Sequence, residues 1–465
     1  MGSIIAHRRV DARRFLGKYR NVFTTRRDGR MWPRWKDTLK NAYHYNEGLL
    51  TPGRKKSMQR ISRRMNINEN QIENFIRESS WEHEVLQDDL VTKIPESIRS
   101  DKAAFVLDDV GIIKQGKHSV GVQRQYSGAI GGVGNCQVAV DLIYAVPGKY
   151  RNADQKTWPL GMDLYVPESW INDQERRNEV EMPDNVKFRT KHEIAVDIIE
   201  RVIRHQVKHK CIVGDSGYGN DNDFRRALRD LKELYALAVT PSDLHVIDPS
   251  VPLIAPGKKP GPGRKQKYQK YPSEISPETP VQIAKRVKNW LTVEWSEGTK
   301  EKLSGQFYRE KVRVVRSKAT RIANDEIGWL LLEKCKNQNG DEELKSYICW
   351  GMDELPLKTL VEYVHIRWTV ELFHRDAKQI LGLDRFEGRS WKGWYHHISM
   401  VLLAYAFIAE LRAKLSPGDK LPTLPSIVRL FVLEVATQQL MIDHNLLRKK
   451  AREIAGTMLR RYSDW

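Results

Sequence analysis

The spacing of apolar residues divides the chain into a helical first part, a strand-rich middle and a helical end. Up to about residue 100, apolar positions recur every three or four residues, which is the period of amphipathic helices. We predict two short helices there, separated by a break at residues 66–68. Their apolar faces consist of Met58, Ile61 and Met65 in the first helix and of Ile72, Phe75 and Ile76 in the second.

From Ala103 the period changes to that of β-strands. Residues 103–109, AAFVLDD, form an apolar run that ends in two carboxylates, which predicts a buried strand with an acid at its carboxyl end. Strand-like stretches at residues 119–126 and 137–146 flank a glycine-rich turn region. Together these two stretches predict an antiparallel meander.

A second series of elements follows the meander. We predict a helix over residues 191–205, a strand that ends at Asp215, a helix over residues 224–234 and a strand over residues 236–239. This order is typical of a mixed RNase H-like sheet flanked by helices. The alternative is a small Rossmann-like unit, but no GxGxxG sequence follows the first strand. The predicted fold class is therefore α/β, with an RNase H-like mixed sheet.

The pattern changes again between residues 241 and 350. Residues 254–272 are rich in proline, glycine and basic side chains, which is typical of a mobile loop. The alternating strand-like runs beyond it, with a hairpin near residues 337–341, predict a β-rich insertion. The predicted divisions are a helical domain at 1–100, a catalytic core at 101–240 and 351–415, the β-rich insertion at 241–350 and a helical C-terminal region at 416–465.

The charge balance indicates the kind of partner. The 465 residues include 78 Lys and Arg against 59 Asp and Glu, a net charge of +19. A chain this basic suits a polyanion, most often nucleic acid, although ribosome-associated and membrane-surface proteins share this property. We predict a DNA-binding domain at residues 1–100, compatible with a helix-turn-helix. The predicted basic DNA contacts outside the core are Arg54, Lys55, Arg60, Arg63, Arg64, Lys265 and Lys267.

The four cysteines are scattered without a CxxC pair, which argues against a zinc knuckle and a disulfide framework. The chain also shows no apolar leader and no apolar run long enough to cross a bilayer. We therefore expect a cytoplasmic, nucleoid-associated protein of a bacterial host that has no membrane contact.

Three acids stand where a metal site can form. Asp108 and Asp215 end predicted strands, and Glu371 lies on a predicted helix. Turn formation or helix capping is the ordinary alternative for an aspartate after a strand. Asp109 is an alternative first acid, but Asp108 directly ends the apolar run. Neighbouring carboxylates repel one another and need cations, and all-oxygen ligation favours Mg²⁺, with Mn²⁺ able to replace it.

The helix predicted around Glu371 carries cations on the same stripe. At about 100° per residue, Tyr363, Arg367, Glu371 and Lys378 project from one side. An ordinary i,i+4 ion pair on a solvated face is the alternative explanation. Beside a metal site, Arg367 and Lys378 would bind phosphates, the Arg by its planar fork and the Lys as a point charge.

The Arg-x3-Glu-x6-Lys spacing resembles the end of the Tyr-Arg-Glu-Lys signature of insertion-sequence DDE transposases. Tyr363 stands one place earlier than the tyrosine of that family. The segments FVLDDVGIIKQGKHSVGVQRQYSGAIGGVGNCQVAVDLIYA, PESW and VGDSGYGND, followed by the Arg367 helix, resemble the insertion-sequence seven-hundred-one family in their order. Carried over by position, the resemblance implies a metal triad of Asp108, Asp215 and Glu371.

That resemblance implies a DNA transposase that uses two Mg²⁺ ions for end cleavage and strand transfer. The expected partners are the terminal inverted repeats of the element and target DNA, bound by a homodimer that pairs two ends. A DNA-binding protein derived from a transposase, acting as a repressor or architectural factor, is the alternative. A metal-dependent nuclease that never rejoins DNA is a third possibility.

Overall fold

A mixed sheet of eleven strands runs through the part of the chain that the structure describes. The computed structural model describes residues 8–25, 30–31, 38–51, 56–128, 130–148, 156–256, 268–295, 303–336, 340–414 and 424–461. The strands are β1 (Ala104–Ile113), β2 (Gln123–Ser127), β3 (Gly132–Val146), β4 (Lys156–Tyr165), β5 (Cys211–Gly214), β6 (Tyr235–Val239), β7 (Val246–Ile247), β8 (Leu291–Trp295), β9 (Leu303–Ser317), β10 (Ile322–Lys336) and β11 (Glu342–Trp350).

The strand order places β1 in the middle of the part of the sheet formed by β2, β3, β1, β5 and β6. The order is β2-β3-β1-β5-β6-β11-β10-β9-β7, with β4 paired to β3 and β8 paired to β9. β1 pairs with β3 in antiparallel fashion and with β5 in parallel fashion. The meander followed by parallel strands gives the mixed, helix-flanked sheet of an RNase H-like fold, which confirms the predicted fold class.

The first strand is longer than predicted. Residues 104–107 are fully buried, as expected for a strand covered on both faces. The prediction that β1 ends at its two acids is wrong, because its pairing with β3 continues four residues further, to Ile113 opposite Cys136. Asp108 and Asp109 therefore lie in the middle of β1, whereas Asp215 directly follows the end of β5, as predicted.

The β-rich region between residues 241 and 350 extends the same sheet. β11 pairs in antiparallel fashion with β6 over five residue pairs, from Ser346–Val239 to Trp350–Tyr235. The predicted hairpin is formed by β10 and β11. β10 contains a bulge around residues 324–326. The side chain of Glu326, which lies in this bulge, is completely buried.

Helices cover the sheet and form the two ends of the described chain. They are α1 (Arg8–Gly17), α2 (Arg20–Thr24), α3 (Leu39–Leu50), α4 (Met58–Met65), α5 (Glu69–Arg77), α6 (His83–Thr92), α7 (Glu168–Ile171), α8 (Gln174–Glu179), α9 (Lys191–Arg204), α10 (Ser216–Gly219), α11 (Asn222–Asp230), α12 (Pro280–Arg286), α13 (Leu357–His365), α14 (Trp368–Asp376), α15 (Trp391–Ala413), α16 (Leu424–His444) and α17 (Arg448–Arg461). Among the described helices, none combines the length and apolar character that crossing a membrane requires.

The predicted break between the two basic helices is present. Asn66 ends α4 in the left-handed conformation, with φ 52°, and the Asn68 side chain caps α5 by accepting from the Asn70 amide. α5 packs against α15, whose residues 393–410 are buried on all sides, and α4 packs against α3 and α5. The N-terminal helices and the sheet therefore share one hydrophobic core.

A buried charge network joins α11 to the sheet. The Arg225 guanidinium donates to Glu326 at 2.8 Å, and both side chains are completely buried. Glu326 also accepts from the Tyr235 hydroxyl at 2.7 Å and pairs with Arg229 at 3.1 Å. Arg225 donates further to the carbonyl of Gly219, the last residue of α10. The network thus fixes the turn that begins at Asp215.

Candidate active site at the strand ends

The two adjacent acids of β1 point to opposite faces of the sheet, since side chains alternate along a strand. Asp108 lies opposite Asp141 of β3. On this face, Arg367 donates to the Asp108 carboxylate at 3.4 Å. On the other face, the Asp109 carboxylate pairs with Lys191 of α9 at 2.5 Å. Asp108 therefore faces the helices after residue 356, and Asp109 faces α9.

Asp215 reaches the same end of the sheet from the neighbouring strand. Val106 of β1 lies opposite Val213 of β5, and Asp108 and Asp215 each come two residues later. The Asp215 side chain accepts from the Gly217 amide at 2.9 Å and so caps the short helix α10. The parallel register thus places Asp108, in the middle of β1, next to Asp215, which follows the end of β5.

Arg367 connects Asp108 to the third predicted acid. Its guanidinium donates to Glu371 at 2.6 Å and to Asp108 at 3.4 Å. The Asp108 side chain is 15% exposed and that of Glu371 is 59% exposed. Arg367 therefore bridges a buried carboxylate and a solvent-exposed one.

The continuous helix that was to carry four site residues is absent, so this prediction is wrong. α13 ends at His365, α14 begins at Trp368 with Arg367 as its N-cap residue, and a π-helical turn follows at Ala377–Leu381. Two consecutive breaks change the direction of the side chains, which a uniform 100° rotation cannot anticipate.

The breaks separate Tyr363 and Lys378 from the shared stripe. Tyr363 is 4% exposed, and its hydroxyl donates to the carbonyl of Lys102 at 3.0 Å. It therefore lies in the core and apart from Arg367. Lys378 lies in the π-helical turn and is half-buried, and burial lowers its pKa against the opposing effect of Asp384 and Asp141.

His374 and Asp141 form a buried pair behind Asp108. The imidazole Nε2 of His374 lies 2.5 Å from Asp141 Oδ2, and Asp141 is completely buried. Burial lowers the pKa of His374, but the Asp141 carboxylate outweighs it and raises this pKa overall. The other oxygen of Asp141, Oδ1, is buried with no hydrogen-bond partner among the described residues.

The environment of Asp108 disfavours its negative charge. Burial raises its pKa to about 7, and the neighbouring carboxylates of Asp215 and Asp141 act in the same direction. His374 and Arg367 oppose them without cancelling the effect. A further cation beside Asp108 would favour the charged form of its carboxylate.

The model of the DDE superfamily endonucleases matches residues 33–302, which is more than half of the chain. The chain belongs to this family. The matched stretch includes Asp108 and Asp215 and ends before Glu371. The family assignment confirms the resemblance to DDE enzymes found in the sequence.

A curated relative of this DDE superfamily chain is described as a probable transposase for insertion sequence element IS701, from Microchaete diplosiphon. It is 26% identical over 194 residues, which are 41% of this chain and 46% of the relative. The chain thus spans about half the length of the curated relative that it matches. The relative supports the prediction of an insertion-sequence transposase.

DDE superfamily endonucleases generally use divalent metal ions, and the donor chemistry here fits one. Asp108 and Asp215 supply hard carboxylate oxygens, the ligands that Mg²⁺ and Mn²⁺ prefer. The unpartnered Oδ1 of buried Asp141 adds to the local negative charge. Within the described ranges, no three acids, histidines or cysteines lie close enough to hold one metal together. Arg367 donates to both Glu371 and Asp108 in this structure.

The basic residues predicted to contact DNA are only partly described. Arg60 and Arg63 are exposed on α4, and Arg64 is half-buried with its guanidinium donating to the Arg60 carbonyl at 3.1 Å. The other four predicted contacts lie outside the described residues. They are Arg54, Lys55, Lys265 and Lys267.

The sequence predictions missed two residues beside Asp108, namely His374 and Asp141, and one on the opposite face of the sheet, Lys191, which pairs with Asp109. His374 lies three residues after Glu371, a spacing that places both on one side of a helix. Asp141 is a single carboxylate inside the apolar strand run QVAVDLIYAV, which is an unusual place for an acid. Those two signals were available, whereas nothing in the sequence indicates that Lys191 pairs with Asp109.

We expect Asp108→Asn to change how stability depends on pH in metal-free buffer. Between the ordinary aspartate pKa and about 7, folded Asp108 retains a proton that the unfolded chain has released, so stability falls as pH rises through this window. The variant does not lose stability in this way. Its free energy of unfolding at pH 8 should exceed that of the wild type by on the order of 3 kcal/mol. Urea unfolding between pH 5 and 8 measures the difference. Parallel pH curves for the two proteins would contradict it.

Proposed function

We propose that this protein is a transposase that cleaves DNA at the ends of its own element and joins those ends to target DNA. The observation that supports this most is the convergence of Asp108, Asp215 and the Arg367–Glu371 pair at one end of an RNase H-like sheet. In a chain of the DDE superfamily, acids in this arrangement suit phosphodiester chemistry.

In this proposal Asp108, Asp215 and Glu371 hold two Mg²⁺ ions, which Mn²⁺ can replace. Divalent ions held by these carboxylates would supply activation of an attacking water or 3′-hydroxyl and stabilisation of the leaving oxygen. The pKa of Asp108 is raised to about 7. The site therefore carries its full negative charge only at a pH above this value, where Asp108 is deprotonated. The chain's own contribution is to keep three carboxylates within a rigid sheet edge and helix.

Arg367 has two roles in this scheme. In this structure it neutralises Asp108 and Glu371 by donating to both. Its planar fork also matches a phosphate group. We propose that it exchanges these carboxylates for a DNA phosphate as the substrate enters, with half-buried Lys378 binding a flanking phosphate. Tyr363 is excluded from this surface because it is buried.

The proposed partner is double-stranded DNA, both as terminal inverted repeats and as target. The net charge of +19 supports a polyanion, and exposed Arg60 and Arg63 on α4 supply charge beside a two-helix unit. Pairing of two ends requires two copies of the active site, so we propose a homodimer on DNA. Base-specific recognition by α4 and α5 is part of the same proposal.

The test is nicking of a supercoiled plasmid that carries the terminal repeats of the element. We expect nicks at the repeat ends with Mg²⁺ or Mn²⁺ and none in the presence of a chelator. A plasmid without the repeats is the control. Joining of a pre-cut repeat end to a second plasmid separates a transposase from a nuclease that does not rejoin DNA.

A catalytically silent DNA-binding protein is the second candidate. Two observations favour this candidate. Arg367 donates to Glu371, and no three acids, histidines or cysteines among the described residues lie close enough to hold one metal ion. Repeat-specific binding that is unaffected by chelator, with no nicking under either metal, would support this candidate and refute the transposase.

A further inference from the structure

The hairpin that joins β2 to β3 exposes large apolar side chains at the edge of the sheet. Tyr126 is 66% exposed, Val133 is 60% exposed and Ile130 is 38% exposed. Tyr126 and Val133 lie directly opposite each other in the β2–β3 register. We refer to residues 123–135, of which residue 129 lies outside the described residues, as the hairpin tip. An apolar cluster of this kind on an edge hairpin indicates a contact surface.

The hairpin tip presents Tyr126 on the same face of the sheet as Asp108. Asp141 lies opposite Asp108, and Val133 is eight residues from Asp141 on β3, an even number that keeps both on one face. Tyr126 shares this face because it pairs with Val133. Eight residues of strand span roughly 26 Å. The exposed cluster is thus on the active-site side, in line with the acids.

The charge around the hairpin tip favours a polyanion. Between Asp109 and Asp141 the chain contains no acidic residue, but it contains Lys117 and Arg124, and also Lys114, whose ammonium donates to the Phe386 carbonyl away from the tip. Arg124 is exposed and is two residues from Tyr126, so the two side chains share a face. An exposed arginine beside an exposed tyrosine suits a phosphate next to a base or sugar.

The glycines of the hairpin tip are not all required by the fold. A Cβ atom at Gly128 or Gly132 would meet no atom within 4 Å, and neither residue has a positive φ. Packing within the protein therefore leaves room for a side chain at both positions. Backbone without side chains at an exposed turn permits the close approach of another molecule.

The surface between Asp108 and the hairpin tip is closer to neutral. Residues 386–389 lie there, with the Val120 amide donating to the Arg389 carbonyl at 3.1 Å. Arg389 and Arg385 are exposed but accompany acids, with Arg389 near Glu179 and Arg385 near Asp384. Exposed apolar side chains and the exposed Arg124 therefore occur together at the tip.

We propose that the hairpin tip binds the DNA duplex that continues from the cleavage site. Arg124 binds a backbone phosphate, and Tyr126 packs against a sugar or base. The contact lies about eight base pairs from the scissile phosphate, because roughly 26 Å of strand corresponds to this length at 3.4 Å per base pair. This inference rests on the proposed function in DNA cleavage.

The test compares binding of two repeat-end duplexes by full-length protein. One duplex extends about 20 base pairs on both sides of the cleavage site, and shortened duplexes end about four base pairs from it on either side. The variant Arg124→Gln with Tyr126→Ser should bind the long duplex about tenfold or more weakly. It should bind one of the shortened duplexes as the wild type does. Arg204→Gln, which removes an exposed arginine at the end of α9, is the matched control and should match the wild type throughout.

A cross-link locates the contact. Tyr126→Cys is combined with Cys335→Ser, because Cys136, Cys211 and Cys349 are buried and Cys335 is the partly exposed cysteine. A photo-cross-linker on this cysteine should react about six to ten base pairs from the cleavage position. Cross-links distributed along the whole duplex would overturn the proposal.

The remaining outcomes separate this inference from the proposed function. Wild-type cleavage with unchanged affinity of the Arg124 and Tyr126 variant overturns the hairpin-tip contact alone. A variant that changes the oligomeric state but not DNA affinity also overturns it, and identifies the tip as a contact between two copies. Reduced affinity of the variant for the long duplex supports the contact even if no preparation nicks DNA.

Discussion

Asp108→Asn is expected to lower the rate of DNA nicking by about a thousandfold or more, and Asp215→Asn is expected to do the same. Each change keeps the shape of the side chain and removes one negative charge from the proposed metal site. Loss of several kcal/mol of transition-state stabilisation corresponds to a thousandfold in rate. Nicking of supercoiled repeat plasmid, followed over time with Mg²⁺, measures the effect.

Folding should survive both substitutions. Asparagine caps helices as well as aspartate does, so Asp215→Asn keeps the acceptor for the Gly217 amide. Asp108→Asn removes a carboxylate whose charge is already disfavoured by burial. Circular dichroism spectra that match the wild type therefore accompany the loss of nicking.

Asp109→Asn is the matched control for Asp108→Asn. It alters the neighbouring acid of the same strand, which faces Lys191 on the opposite side of the sheet. In the ion pair of Asp109 with Lys191, each side chain is about one-third exposed or less. A partly exposed pair contributes up to about 1 kcal/mol to stability. We expect nicking within a few-fold of the wild type. A large loss with Asp109→Asn and none with Asp108→Asn would show that the first acid of the triad is misassigned.

Glu326→Gln is expected to lower the free energy of unfolding by about 3 to 5 kcal/mol, because it leaves the guanidinium of Arg225 buried without its counter-charge. Both side chains are completely buried and lie 2.8 Å apart. Arg225 also holds the Gly219 carbonyl, so disorder of this arginine should loosen the turn after Asp215. Urea unfolding followed by circular dichroism measures the change.

Asp325→Asn is the control for this prediction. Asp325 is the adjacent acid, pairs with Arg229 at 2.9 Å, and is 84% exposed. A solvent-exposed ion pair contributes about 1 kcal/mol or less. We therefore expect a small change for Asp325→Asn. Similar losses for the two variants would show that the buried position of Glu326 has no special energetic role.

The periods of apolar residues were sufficient to predict most elements of the catalytic sheet. The fully apolar run before Asp108 and the helical spacing of residues 191–205 each correspond to an observed element. The strand order was not predicted, since β1 pairs with β3 and not with β2, the next strand in the sequence. The continuation of β1 beyond Asp108 and Asp109 was not predictable from the sequence. The backbone pairing with β3 stabilises the strand even where its side chains are polar.

The candidate site was less predictable from sequence than the sheet. The predicted strand before each aspartate was available from the sequence, but the register that places Asp108 beside Asp215 and the breaks on both sides of α14 were not. These breaks depend on tertiary packing, which local propensity does not contain. They removed Tyr363 from the surface and brought His374 against Asp141.

The pairing of β11 with β6 restricts how this enzyme can open. A hinge at the junction of the insertion and the catalytic half would have to break the backbone hydrogen bonds of five residue pairs. The insertion and the strands that bear the two aspartates should therefore move as one rigid body. Rearrangements that admit a duplex must then arise in the helical layers on either side.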